Sequence, residues 1–185
     1  MKRNLINGLL GMLLAGVNSL AMAEDIDLFV DNPAGAPPNV LLVLDNGANF
    51  SSAADFASCP DEADWPATML NTVGGIEQCA LYKVVNSLKE GGVNLGVMVF
   101  NANNMSDDCP GGTGGCLVYP LRLLDADGKT AIQTWIKGWK TSGSTTADSL
   151  NIKSNSNKNG SAMQEAWAMF KGKKGLSGRT YTAPS

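Results

Sequence analysis

Hydrophobic residues are distributed along this chain in two distinct rhythms. Five consecutive apolar residues, Val40 to Leu44, end on Asp45 and run into Asn46-Gly47-Ala48-Asn49. A continuous Val/Leu run of strand length predicts a strand covered on both faces, as in the middle of a parallel sheet. Asp45 then falls at the carboxyl end of a central strand. A helix is predicted next, over about Pro66 to Glu90. There Met69, Val73, Ile76, Ala80, Val84 and Leu88 recur three and four residues apart, on one face turned to a sheet. Gly74-Gly75 weakens its first half, and Gly91-Gly92 ends it. Val93 to Phe100 is a second mostly apolar strand, which completes a strand-helix-strand unit of the kind that builds α/β sheets.

A Gly-rich segment, Asn101 to Cys116, leads to a third strand over Leu117 to Leu124. So tight a return predicts an antiparallel hairpin, and Pro120 inside the third strand predicts a place at the sheet border. Ile132, Trp135, Ile136 and Trp139 then form an i, i+3, i+4, i+7 stripe, the core face of a second helix. Thr141 to Ser161 is rich in Ser, Thr, Asn and Gly and predicts a long loop. A last helix is predicted from about Ser161 to Lys171, with Met163, Ala166, Trp167 and Phe170 as its apolar face.

The amino terminus changes the picture of what is mature protein. Lys2 and Arg3 precede an apolar stretch, Leu5 to Val17, and the segment closes on Ala21-Met22-Ala23, a small-x-small cleavage pattern. Residues 1–23 therefore predict a secretory signal peptide. A retained membrane anchor would need about 20 unbroken apolar residues, and Asn7, Asn18 and Ser19 interrupt this one. Residues 24–38 are an N-terminal segment and a Pro/Gly-rich linker, and residues 39–185 form the folded region. No integral membrane span is expected after the signal is removed.

Export suits the cysteines. Four of them, Cys59, Cys79, Cys109 and Cys116, allow three pairings in an oxidising compartment. Cys109 and Cys116 flank Pro-Gly-Gly-Thr-Gly-Gly, a segment that must turn back on itself, so they are expected to pair and to leave Cys59 with Cys79. The absence of any C-x-x-C spacing argues against a zinc ribbon or a thioredoxin-like site.

Composition then narrows the chemistry. The chain has 185 residues, 44% hydrophobic and 17% charged, with 14 Lys+Arg against 17 Asp+Glu and a net charge of −3. So small an acidic balance argues against general attraction to nucleic acid or anionic lipid. There is no histidine, which removes Ser-His-Asp and Cys-His nucleophile systems, His-ligated zinc and HExxH metallopeptidases. What is left is Asp45, at the strand tip where an open α/β sheet places a ligand. Hard cations take oxygen ligands. Asp45, Asn49 and Ser161 are the candidates, the last if the fold brings it near.

Leu28-Phe29 and, after a linker, Pro38-Asn39-Val40-Leu41-Leu42-Val43-Leu44-Asp45-Asn46 resemble the opening of the PilY-type proteins. These are type IV pilus biogenesis factors and tip-associated adhesins of Gram-negative bacteria. Val93 to Asn101 is similar to the family's second strand, and Ala131 to Trp139 to its helix after the hairpin. Asn159-Gly160-Ser161-Ala162-Met163-Gln164-Glu165-Ala166-Trp167 is similar to its Gly-Gly-Thr-Pro-Leu-x-Glu-Ala-Leu stretch. The resemblance covers about residues 26 to 175. It implies an incomplete von Willebrand A-like, Rossmann-like α/β sheet with parallel central strands, one antiparallel edge hairpin and flanking helices. In such domains Mg²⁺ sits in an Asp-x-Ser-x-Ser site completed by a Thr and a later Asp. Here Asp45 matches the first Asp, Gly47 and Asn49 stand at the two Ser positions, Ser161 replaces the Thr, and the later Asp has no counterpart. The implied site is degenerate. No cofactor is expected, with Mg²⁺ or Ca²⁺ bound weakly or not at all, because affinity for hard cations follows ligand charge and count.

The resemblance implies a non-enzymatic, exported adhesion and assembly module of type IV pili. Its partners would be minor pilins or a host or surface ligand, and its location the periplasm, pilus tip or cell surface. The alternative is an envelope von Willebrand A-like binding module unrelated to pili. A secreted hydrolase using Asp45 in an acidic pair is disfavoured, since no second carboxylate stands in a comparable strand-end setting. Three strands are fewer than a complete domain of this kind needs. The chain is therefore expected to be an amino-terminal fragment whose Val40–Leu44 strand is left as an open edge, marginally stable and prone to aggregate.

Overall fold

In the computed structural model the described residues are 35–100, 114–140, 150, 154 and 159–184. They form a mixed α/β domain with a three-stranded sheet and three α-helices. Strand β1 spans Asn39–Leu44, β2 Asn94–Val99 and β3 Cys116–Leu123, in the order β1-β2-β3. The first pair is parallel, with Asn39 opposite Asn94 and Leu44 opposite Val99. The second is antiparallel, with register irregularities on either side of Val97. Pro120 lies in the border strand β3, where a missing N–H costs no ladder bond.

β1 stands at the opposite border, not in the middle of the sheet as its apolar run predicts. Its pleat is nevertheless covered on both faces. Val40, Leu42 and Leu44 pack against one cluster and Leu41 and Val43 against another. Hence every residue of β1 is half-buried, neither sealed nor exposed.

Helix α1 spans Val73–Ser87, shorter than the predicted Pro66–Glu90. A separate 3₁₀ turn occupies Ala67–Met69, and the Thr72 side chain, accepting from the Gly75 N–H at 3.0 Å, starts α1 afresh. The buried face also differs from the predicted one. Met69 is buried, but Ile76, Ala80 and Val84 are exposed, and the interior takes Gly74, Gly75, Gln78, Cys79, Leu81 and Val85. The glycine pair accounts for this rotation. A β-carbon at Gly75 would collide with the Met69 carbonyl, and one at Gly74 with the Phe50 ring. The pair that looks like a weak spot is instead where the helix touches its neighbours.

Helix α2 spans Ala126–Lys137 and is capped by Asp125, whose Oδ1 accepts from the Gly128 N–H at 2.8 Å. Its predicted stripe is the core: Ile132, Ile136 and Trp139 are fully buried. They join Leu81 and Val85 of α1 and Leu95, Val97 and Val99 of β2 in the larger cluster. Gln78 donates across the helix pair to the Ile136 carbonyl at 2.6 Å.

Helix α3 spans Asn159–Phe170 and packs on the other sheet face. Here too the predicted face is corrected. Ala166 is buried, but Met163, Trp167 and Phe170 are 60%, 57% and 38% exposed. The interior receives Ala162, Glu165, Ala166, Ala168 and Met169, and the three alanines let the helix lie close to the sheet. Most of the predicted 141–161 loop lies outside the described residues. Ser154 is described and buried, its N–H donating to the Asn46 carbonyl at 2.8 Å.

The Cys59–Cys79 disulfide is present and ties the segment before α1 to that helix. Cys116 is also disulfide-bonded; Cys109 lies outside the described residues. Among the described residues no helix is long and apolar enough to cross a membrane. The predicted signal peptide, residues 1–23, lies outside them.

Candidate functional site

Polar chemistry collects at opposite ends of the sheet. At the carboxyl end of β1 the chain leaves the strand through a tight turn. The Gly47 N–H donates to Asp45 Oδ1 at 2.9 Å, and the Phe50 N–H to the Gly47 carbonyl at 3.0 Å. This Asx-type turn starts the 3₁₀ segment Ala48–Ser51 and drives Phe50 into the core beside Trp139, ring centroids 6.5 Å apart. Asn46 is fully buried under it, while Asp45 and Asn49 face solvent.

Ser161, the third expected ligand, lies in the first turn of α3 and is half-buried. No hydrogen bond among the described residues links Asp45, Asn49 and Ser161 to one another. One carboxylate oxygen of Asp45 is already engaged by Gly47. Among the described residues no three His, Cys, Asp or Glu side chains gather as a metal-binding group.

Glu77 was not legible at this place from sequence spacing. It lies on α1 and feels Asp45: burial first, and the Asp45 charge second, raise its carboxyl from 4.5 to about 7. Near the strand end there is therefore an acidic group, Glu77, that titrates near neutrality. In the sequence it shows only as an acidic residue just before the buried Gln78-Cys79 pair. As a hard-cation site the set offers one partly engaged carboxylate, one carboxyl protonated over much of the acidic range, an amide and a hydroxyl, which is a poor donor set.

The second polar centre is Glu165, fully buried on α3. Its Oε2 accepts from the Ser177 N–H at 2.9 Å, and its Oε1 from the Tyr181 hydroxyl at 2.7 Å and the Ser177 hydroxyl at 2.5 Å. Gly175 passes so close that a β-carbon there would collide with Oε1. Burial, with Glu165 beside it, pushes the Tyr181 hydroxyl well up, so it stays protonated and keeps donating. These bonds clamp the segment 173–182 onto α3. The segment folds back on itself, with the Gly175 N–H bonded to the Arg179 carbonyl and the Tyr181 N–H to that of Lys173.

Beside this clamp, at the amino-terminal ends of β1 and β2, lies a cavity of about 520 Å³. Asn39 and Asn94 begin the two strands and meet there, Asn94 Nδ2 donating to Asn39 Oδ1 at 2.9 Å and to the Pro37 carbonyl at 3.3 Å. Leu117 and Leu121 of β3 and Met169 of α3 supply apolar wall, and Arg179 to Thr182 close it. The Arg179 guanidinium lies over the Tyr181 ring, 5.6 Å from its centroid. The cavity is thus at the end of the sheet away from Asp45.

No protein-family model, curated protein or solved structure matches the chain. What fold and sites define together is a disulfide-bearing α/β domain with an acidic pair at one end of its sheet and a cavity at the other.

Proposed function

We propose that the chain is an exported adhesion and assembly module of type IV pili, acting by binding a protein partner or a surface and not by catalysis. The observation that carries the reading is the order of elements. A parallel β1–β2 pair joined through α1, an antiparallel β3, then α2 and α3 follow the order of the PilY-type, von Willebrand A-like region that the sequence resembles. The Cys59–Cys79 disulfide supports an oxidising destination. Minor pilins or a host surface are the partners this reading names.

Weak Mg²⁺ or Ca²⁺ binding at Asp45, Asn49 and Ser161 fits the same reading, because adhesion through a degenerate site rests on the protein surface and not on a tightly held ion. The test is a clean deletion of the gene. Loss of surface piliation or twitching is expected, whereas normal piliation and adhesion would reject the pilus role. A second reading, an envelope ligand-binding module unrelated to pili, is favoured by the cavity beside Arg179.

A further inference from the structure

We propose that Asn159 is a site of spontaneous covalent modification, at which the asparagine side chain cyclises onto the Gly160 nitrogen and is converted to aspartate and isoaspartate. Asn-Gly is the pair in which this chemistry is least hindered, because glycine has no β-carbon to shield its nitrogen from close approach. The sequence holds three such pairs, beginning at Asn7, Asn46 and Asn159. The first lies outside the described residues, and the fold treats the other two in opposite ways.

At Asn159 the reacting groups already stand together. Asn159 and Gly160 are both exposed at the start of α3, and the Gly160 N–H donates to the Asn159 side-chain oxygen at 2.7 Å. The nitrogen is thus held against the carbonyl group it must attack, and such placement is what speeds an intramolecular step. N–H groups in the first turn of a helix have no partner within the helix, so the ladder does not withhold this one. Helix ends also fray at little cost in free energy, which lets the backbone of Asn159 turn as ring closure requires. At the Asn46-Gly47 pair none of this holds. Asn46 is fully buried, and the Gly47 N–H is spent on Asp45 Oδ1 at 2.9 Å.

The reaction balances with water as the only co-reactant. Hydroxide takes the Gly160 amide proton, the nitrogen bonds to the side-chain carbonyl carbon of Asn159, and the carbon–nitrogen bond of the side-chain amide breaks, releasing ammonia. Water then opens the five-membered ring at either of its carbonyls. One opening leaves aspartate, and the other leaves isoaspartate, whose backbone runs through the former side chain. Either product puts a new negative charge in the first turn of α3, two residues from Ser161 and at the end where the helix dipole favours it. Nothing in this chemistry depends on a pilus role.

Peptide mapping of the full chain after incubation in warm, mildly alkaline buffer tests it, each conversion being read as the mass gained when ammonia is exchanged for water. In folded protein residue 159 should convert at least about tenfold faster than residue 46, since a difference of about 1.4 kcal/mol in local opening already gives that factor. In urea the two pairs should convert at similar rates, which assigns the difference to the fold. Isoaspartate should accompany aspartate, the mark of the cyclic route. Gly160→Ala, at a position where a β-carbon meets nothing within 4 Å, should leave the melting temperature at or above that of the parent and slow conversion by about tenfold or more, because the added methyl group disturbs the attack. Conversion at residue 159 no faster than at residue 46 in folded protein, aspartate without isoaspartate, or equal conversion in the parent and Gly160→Ala would each overturn the proposal.

Discussion

Glu77 and Glu165 are both acidic residues on helices, and their surroundings give them opposite duties. Glu77, near Asp45, has its carboxyl raised from 4.5 to about 7 by burial and by that neighbour's charge. A raised acid holds its proton more tightly folded than unfolded. Its contribution to stability is therefore complete below about pH 4.5 and is lost as pH rises through about 7. Glu77→Gln cannot ionise, so thermal melts should show the variant gaining on the parent between about pH 4.5 and pH 8. The gain should reach about 1–2 kcal/mol, less than the full linkage value because the group is half-exposed and screened. A difference that does not change with pH would count against the raised carboxyl of Glu77. Glu165 acts as an acceptor instead, with three donors converging on it. Glu165→Ala strands the Ser177 and Tyr181 donors in the interior and should cost about 2–4 kcal/mol in urea unfolding. Amide exchange should rise first in residues 173–182, the segment the clamp holds.

Elements follow from such local contacts more than from apolar spacing. The sequence pattern locates the three strands and three α-helices of the described residues, because Val/Leu runs, Gly-Gly stops and the Ile132–Trp139 stripe each report a local preference. It misplaces the buried faces of α1 and α3, because the packing partners are set elsewhere. On α1 the close approaches of Met69 and Phe50 to Gly75 and Gly74 turn the glycine side inward and leave Ile76 and Val84 exposed. On α3 a buried carboxyl outcompetes Trp167 for the interior, since three hydrogen bonds satisfy it and Ala162 and Ala166 pack closer than a tryptophan could. The disposition of Asp45 at a strand end was legible, its neighbour Glu77 was not, and the cavity was invisible because its lining comes from β1, β2, β3, α3 and residues 179–184. Gly75→Ala tests the point on α1. Alanine favours a free helix by about 1 kcal/mol, yet here the substitution should destabilise the protein by about 1–3 kcal/mol, because overpacking against a backbone carbonyl cannot relax cheaply. Reduction of Cys59–Cys79, which joins residues 20 apart in sequence, should remove about 3 kcal/mol by freeing the unfolded chain. The double variant Cys59→Ala with Cys79→Ala, which keeps the Cys116 disulfide, should show this loss in chemical denaturation.

At the scale of the whole molecule the two borders of the sheet are unlike. β3 carries Pro120 and ends on polar or exposed positions, and Arg179 to Thr182 with Pro184 line the cavity beside its Leu117 and Leu121. β1 has one sheet neighbour among the described residues and no charged side chain, proline or bulge to discourage another. The flank of α3 turned away from the 173–182 segment adds Met163, Trp167 and Phe170 to the surface, a stripe of three large apolar side chains at i, i+4 and i+7. Water disfavours such surface by about 25 cal/mol for each Å², and an extended strand edge supplies hydrogen-bonding groups in register, so each feature promotes association on its own. Light scattering of the chain should therefore show mass rising with concentration. Met163→Lys combined with Trp167→Lys removes the stripe at positions more than half exposed, so folding stability should stay within about 0.5 kcal/mol of the parent while association falls. Unchanged association in that variant would place the attraction on the β1 edge, and a parent that stays monomeric at all concentrations would show that neither feature is sticky in solution.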